Sequence, residues 1–312
     1  MTSPLLSIIV PSFNQGRFIR ETIDSALAQS YRPIEVLVFD GGSTDDTVEV
    51  LRSYGELPEL RWWSEPDKGV VDAVNKGFAR AAGEIIAVQS SDDVYMPGAF
   101  ETAVRALEAD HSLALVYGDM ELIDADSTRL RETSLSAFDL YDYISKLTYI
   151  PQPTAFFRRE AMAQAGPWRA DISYAADAEF YLRIVQAAPV RKLDATLGRY
   201  RVHEEQRDKA GLRIIRDWSA AVAPLLESED RNVRRAARIG VELVGLHYTP
   251  RAQWVARTGH LYRAIALRPA LLMRSDIRAH HELIPLRVPL WSLLSRIKRM
   301  LGIAPRSAPG GS

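Results

Sequence analysis

Four short apolar runs, at residues 5–10, 34–39, 60–63 and 85–88, alternate with segments of helical periodicity at 19–29, 45–54 and 70–82. No other feature of the chain restricts its fold as strongly. A strand that is apolar throughout must be covered on both faces, and helices between consecutive strands supply that cover. The pattern therefore predicts βαβ units on a mostly parallel sheet, an α/β fold with helices on both faces. A helix over 99–110, strands near 115–117 and 154–157 and a helix over 176–187 continue the reading with looser alternation. With 312 residues, 47% of them hydrophobic, the chain has ample material for such a core. An α/β domain over 1–205 and a basic helical region over 206–312 are expected.

Each early strand stops on polar residues: Pro11, Ser12 and Asn14 after the first, Asp40, Gly41, Ser43, Thr44 and Asp45 after the second. Glu65, Asp67 and Lys68 follow the third, and Asp92 and Asp93 follow the fourth. In an open parallel sheet these ends line one edge, and the crevice there is where ligands bind. Turn and cap chemistry accounts for roughly half of these residues, "STDD" before Thr47 being a good helix N-cap. The adjacent carboxylates of Asp92 and Asp93 repel unless water, a cation or hydrogen-bond donors relieve them.

What the crevice lacks is also informative. Neither G-x-G-x-x-G nor G-x-x-x-x-G-K-[ST] follows the first strand, so a nucleotide diphosphate bound there needs another counter-charge. A Mg²⁺ or Mn²⁺ held by the Asp92 and Asp93 pair would provide it. Asp40 and Asp67 suit hydrogen bonds to a base and to ribose hydroxyls.

Composition removes several classes. The absence of cysteine excludes disulfides, thiolate nucleophiles and cysteine-ligated zinc. The opening stretch "MTSPLLSIIVPSFNQ" has no basic start and reads as a first strand rather than a signal peptide. No window approaches the ~18 apolar residues of a membrane span. A soluble, cytoplasmic protein is expected. Charge is uneven, with 15 Lys and Arg against 3 Asp and Glu after residue 230, and 24 against 37 before it. Such a tail suits nucleic acid, anionic lipid or phosphate-bearing ligands, and charge alone does not choose among them.

The stretches "SIIVPSFNQGRFIRETIDSALAQSY", "IEVLVFDGGSTDDT", "SEPDKGVVDAVNKGFARAAGEIIAVQSSDD" and "AADAEFYLRI" together resemble glycosyltransferase family 2, whose catalytic domain has the GT-A fold. The resemblance covers about residues 5–205. It implies transfer of a sugar from a nucleotide-diphospho-sugar with inversion at the anomeric carbon, assisted by Mn²⁺ or Mg²⁺. Carried across by position, Pro11, Ser12 and Asn14 look like the first nucleotide-contacting segment and Asp40 like the carboxylate that binds the base. Asp67 and Lys68 match the segment beside the nucleotide, and Asn75 lies in the following helix of the same motif. "SSDD" matches the metal motif, with Asp93 as the metal ligand and Asp92 reaching the ribose or metal; Ser91 stands where the D-x-D form carries its first Asp. Asp177 resembles the catalytic base. Glu179, its nearest rival, is placed for an i, i+4 ion pair with Arg183. His203 in "RYRVHEEQ" matches a histidine that completes the metal or diphosphate site in some relatives. The implied partners are the donor and a saccharide or lipid-linked acceptor, in cell-surface polysaccharide or glycolipid assembly, with no nucleic acid.

Two alternatives stand beside this reading. A nucleotidyltransferase would need a Gly-rich, basic loop after the first strand, and "PSFNQGRF" offers one Gly and one Arg. A non-catalytic scaffold that kept the fold would not need acids at all the motif positions. Further on, "PLWSLLSRIKRMLG" places Leu290, Leu294, Ile297 and Leu301 on one helical face, with Trp291, Arg296, Lys298 and Arg299 around it. That pattern fits a helix lying on a membrane surface as well as a helix packed on its own domain. The His280 and His281 pair fits no ligand spacing.

Overall fold

The computed structural model describes residues 3–204 and 210–278. The amphipathic segment from Pro289 onward and the His280 and His281 pair lie outside the described residues. The first seven elements follow the expected alternation: β1 (Leu6–Ser12), α1 (Ile19–Leu27), β2 (Ile34–Asp40), α2 (Thr47–Ser53), β3 (Leu60–Ser64), α3 (Val70–Arg80) and β4 (Ile85–Val88). There follow β5 (Val94–Tyr95), α4 (Ala99–Ala109), β6 (Leu115–Ile123), β7 (Arg129–Thr133), α5 (Leu140–Ile144), β8 (Phe156–Arg158), α6 (Arg159–Ala165), α7 (Ala176–Ala187) and β9 (Val190–Arg201). Four helices close the described chain: α8 (Gly211–Val222), α9 (Arg231–Tyr248), α10 (Trp254–Leu267) and α11 (Ser275–Arg278).

The strands form one sheet in the order β3-β2-β1-β4-β8-β6-β9-β5, with β7 also paired to β6. β1, β2 and β4 are buried on both faces, as their apolar composition requires, while β3 at the sheet edge is partly exposed. Ile9, Leu37, Phe39, Ile86 and Val88 face a core shared with α3 and α7, while Ile8, Val10, Val36, Val38 and Ala87 face α1 and α4. Beyond β4 the sheet is mixed rather than parallel. β8 runs antiparallel to both β4 and β6, and β5 runs antiparallel to β9. Strand direction in that half is set by partners distant in sequence, which local periodicity does not encode.

Two of the C-terminal helices, α8 and α9, share this core. Ile214, Trp218 and Val222 of α8 and Ala237 and Val244 of α9 belong to the cluster that packs on α7. Among the described residues no helix is long and apolar enough to cross a membrane.

The close packing of α3 on β1 depends on Gly77, where an added Cβ would lie 2.3 Å from Cγ2 of Ile9. Gly77→Ala is expected to destabilise the protein by about 1–3 kcal/mol through overpacking, measured by thermal denaturation. An unchanged Tm would show that α3 is free to shift.

Candidate active site at the strand ends

The register brings three strand ends level: Ser12 pairs with Asp40, and Asp40 with Ser64. Asp40 is 2% exposed, and its carboxylate is committed to local bonds. Its Oδ2 accepts from Gly42 N at 3.2 Å, Ser43 N at 3.0 Å and Ser64 Oγ at 2.6 Å, and Oδ1 accepts from the Ser43 hydroxyl. Asp40 thereby ties the loop after β2 to the end of β3. The loop after β1 is joined to the loop after β2 by four bonds. Asn14 N donates to Ser43 Oγ at 2.7 Å, Thr44 N to Asn14 Oδ1 at 2.9 Å, Gln15 N to Thr47 Oγ1 at 2.9 Å and Gly16 N to Asp45 Oδ2 at 2.9 Å. Asn14 is held at φ 53°, a left-handed conformation that Asn tolerates. Asp67 accepts from Gly69 N at 2.7 Å and lies against Gly41, where a Cβ would meet its Oδ2 at 2.9 Å. Lys68 is exposed beside it, and Pro11 is buried in β1.

Asn75 is placed differently from the other nucleotide-side residues. Its Nδ2 donates to Trp168 O at 2.9 Å, and Trp168 N donates to its Oδ1 at 2.9 Å. Both halves of the amide are spent pinning the segment after α6 to α3.

The adjacent carboxylates part company in the fold. Asp93 is 1% exposed, and its Oδ1 accepts the backbone N–H of Arg201 in β9 at 2.8 Å. Burial and the neighbouring Asp92 charge push its carboxyl well above the usual range, only partly opposed by Arg201. Asp92 instead meets His203, with Oδ2 and Nε2 2.9 Å apart. The resemblance implies Asp93 as the metal ligand; in the structure its Oδ1 takes the backbone donor that β9 presents, and it is Asp92 that meets His203.

The Asp92 and His203 pair has the donor types of a divalent-cation site. Two neighbouring ligands of a six-coordinate cation, each ~2.1 Å from it, sit ~3.0 Å apart, which matches the observed separation. Among the described residues no group of three or more His, Cys, Asp and Glu gathers for a metal. A two-residue set suits Mg²⁺ or Mn²⁺, which keep water and substrate phosphate as further ligands.

Arg201, which sequence reasoning passed over, organises this corner. It is 1% exposed; Nε donates to Asp92 O at 2.8 Å, Nη1 to Ser127 Oγ at 2.8 Å and Nη2 to Glu21 Oε2 at 2.6 Å. The phenyl ring of Phe18 has both this guanidinium and the His203 ring 4.9 Å from its centroid. The alternating pattern of "RYRV" signals a strand, and nothing local marks which Arg points inward.

Asp177 opens α7, a half-buried carboxylate in the first helical turn. Its charge acts on three neighbours, Lys146, Tyr143 and Tyr181. Burial lowers the Lys146 ammonium to about 8, and Asp177 opposes that fall. Tyr181, one turn on from Asp177, is raised well above the ordinary phenol value by burial, then by Asp177 and Tyr95. Glu179 is engaged with Arg183, Oε2 to Nη2 at 2.8 Å, as its spacing predicts.

A mixed sheet whose parallel half ends on Ser12, Asp40, Ser64 and an acidic loop has the GT-A arrangement. The chain belongs to glycosyltransferase family 2: the family model described as "Glycosyl transferase family 2" matches residues 7–165. An uncharacterised glycosyltransferase of Rickettsia felis is 30% identical over 244 residues, covering 72% of this chain and 39% of that relative. The fold is similar to TarS 1-349 of S. aureus in complex with UDP-GlcNAc, with TM-score 0.63, 18% identity and coverage of 84% of this chain and 81% of that one. It is also similar to mannosyltransferase PcManGT from Pyrobaculum calidifontis in complex with GDP-Man and Mn²⁺, with TM-score 0.61, 19% identity and coverage of 96% and 81%.

Proposed function

We propose that this chain is a cation-assisted, inverting glycosyltransferase that moves a sugar from a nucleotide-diphospho-sugar to a hydroxyl of a saccharide or lipid-linked acceptor, in cell-surface polysaccharide or glycolipid assembly. The observation that carries the reading is the 2.9 Å pairing of Asp92 with His203 at the parallel strand ends. The nucleotide sugars bound to the two structural neighbours support the same donor class. Unpartnered buried atoms add to it: Ser12 Oγ and both amide atoms of Gln89, at the ends of β1 and β4, have no hydrogen-bond partner among the described residues. Such groups carry a desolvation cost that a bound ligand or ordered water relieves.

In this reading Pro11, Ser12, Asn14, Asp40, Asp67 and Lys68 form the nucleotide side. Asp40 shapes the base pocket through its loop, and Asn75 supports the opposite wall by holding Trp168. Asp92 and His203 would hold the cation, and Asp93 anchors the loop that carries Asp92 to β9. A divalent cation bound there supplies positive charge against the departing diphosphate. Asp177 accepts the proton of the acceptor hydroxyl as its oxygen bonds to the anomeric carbon. The bond from that carbon to the diphosphate oxygen breaks, and its electron pair leaves with the nucleotide. Residues 1–205 carry this chemistry, and the helices that follow support it. A nucleotidyltransferase is disfavoured because the loop after β1 offers one Gly and one Arg to grip a triphosphate.

Calorimetry of nucleoside diphosphates and nucleotide-sugars, with and without Mn²⁺, tests the assignment. Mn²⁺-dependent binding of one nucleotide is expected, weakened at least about tenfold in Asp92→Asn and His203→Ala. It is expected to persist in Asp93→Asn, whose side-chain oxygen still accepts the Arg201 N–H. Loss confined to Asp93→Asn would return the cation to Asp93, and absence of all binding would sink the donor reading.

A further inference from the structure

Helix α8 lies beyond the family match, yet it grips the loop that delivers Asp177. Asp217 is 1% exposed, and its Oδ2 accepts two consecutive backbone N–H groups, from Ser173 at 2.8 Å and Tyr174 at 2.7 Å. Its Oδ1 accepts from Arg216 Nε at 2.9 Å and Nη2 at 2.7 Å. Burial pushes the Asp217 carboxyl up, but the bonds from Tyr174, Arg216 and Ser173 outweigh it and hold the group below its ordinary value. Ionised and bonded on both oxygens, it is a rigid anchor.

A second hold comes from the same helix face. Arg213, four residues before Asp217, donates to the Tyr174 hydroxyl, and its guanidinium lies 5.1 Å from that ring's centroid. A third comes from Trp218, fully buried, which carries the Lys146 ammonium 3.9 Å from its ring centroid. Lys146 sits at φ 57°, a strained conformation for a Lys, and its charge and that of Asp177 act on each other. Three side chains of α8 thus converge on the Asp177 loop and on the cation that faces it.

We propose that Asp217 is a positioning residue for sugar transfer: by holding the 173–174 backbone it fixes where Asp177 meets the acceptor hydroxyl. The proposal rests on the reading of Asp177 as the base. Asp217 touches no reacting atom, and its whole effect passes through Asp177.

The test uses the full chain with UDP-GlcNAc, GDP-mannose or whichever other donor the calorimetry selects, following release of nucleoside diphosphate. Asp217→Ala is expected to lower kcat about 10- to 100-fold with donor KM and nucleotide affinity unchanged, since displacement of a reacting group by ~1 Å has that effect. Asp217→Asn, whose oxygen still accepts both N–H groups, is expected to keep most of kcat. In an Asp177→Asn background, Asp217→Ala is expected to add nothing. A readout independent of any donor is the titration of Lys146 by NMR. Its midpoint near 8 is expected to fall in Asp177→Asn and in Asp217→Ala alike, and to stay in Asp217→Asn. Should Asp217→Ala fail to fold, Arg213→Met loosens Tyr174 from the surface and carries the same expectation in smaller measure. Wild-type kcat in Asp177→Asn would overturn the base reading, leaving Lys146 to judge the loop. A dead Asp177→Asn beside a fully active Asp217→Ala with unmoved Lys146 would overturn the positioning role, as would losses that multiply in the double variant.

Discussion

Asp177→Asn is expected to lower kcat about 10²- to 10⁴-fold, the usual contribution of a general base, while nucleotide binding stays at the wild-type level. The substitution keeps the volume and the helix start and removes only the proton acceptor. Binding should not change because the nucleotide-side residues belong to the ends of β1 and β2 and to the loops after β1 and β3, whereas Asp177 belongs to α7. Glu179 is a poor substitute: it is 3% exposed and held by Arg183, which also bonds the carbonyls of Gly166 and Pro167. Glu179→Gln is therefore expected to lower stability rather than kcat. Steady-state turnover at saturating donor and acceptor decides between them, and full activity of Asp177→Asn would remove it from the chemistry.

Arg201→Met is expected to cost about 3–5 kcal/mol of stability and to abolish Mn²⁺-dependent nucleotide binding. The guanidinium is buried and reaches the carbonyls of Asp92 and Asp124, the Ser127 hydroxyl and the Glu21 carboxylate. Glu21 is partly exposed, so most of the loss comes from the carbonyls left without donors rather than from the ion pair. Arg201→Lys is expected to recover little, because a point-charge ammonium cannot serve acceptors spread around a planar fork. Chemical denaturation and calorimetry on both variants check this. A Met variant as stable as wild type would show that the acceptors find water instead.

The alternation of apolar runs was enough to place β1 to β4 and the helices between them, and it placed α7 at its observed bounds. These are local matters: a strand covered on both faces must be apolar along its length, and a helix must repeat near 3.6 residues. The polar strand ends were legible for the same reason, since they follow directly on apolar runs. The motif resemblance also singled out Asp92, Asp93 and His203, with Asp93 as the metal ligand, whereas the fold brings His203 to Asp92. That choice was made by β9, which arrives more than a hundred residues later and offers its Arg201 N–H to Asp93. Asn75 likewise reads as a polar residue on a helix until Trp168 takes both ends of its amide. The mixed half of the sheet, the inward turn of Arg201 and the grip of Asp217 on the Asp177 loop were decided by tertiary structure alone. Each depends on which distant backbone donor or acceptor is left unpaired when the sheet closes, and a buried group must be paired with whatever the fold brings to it.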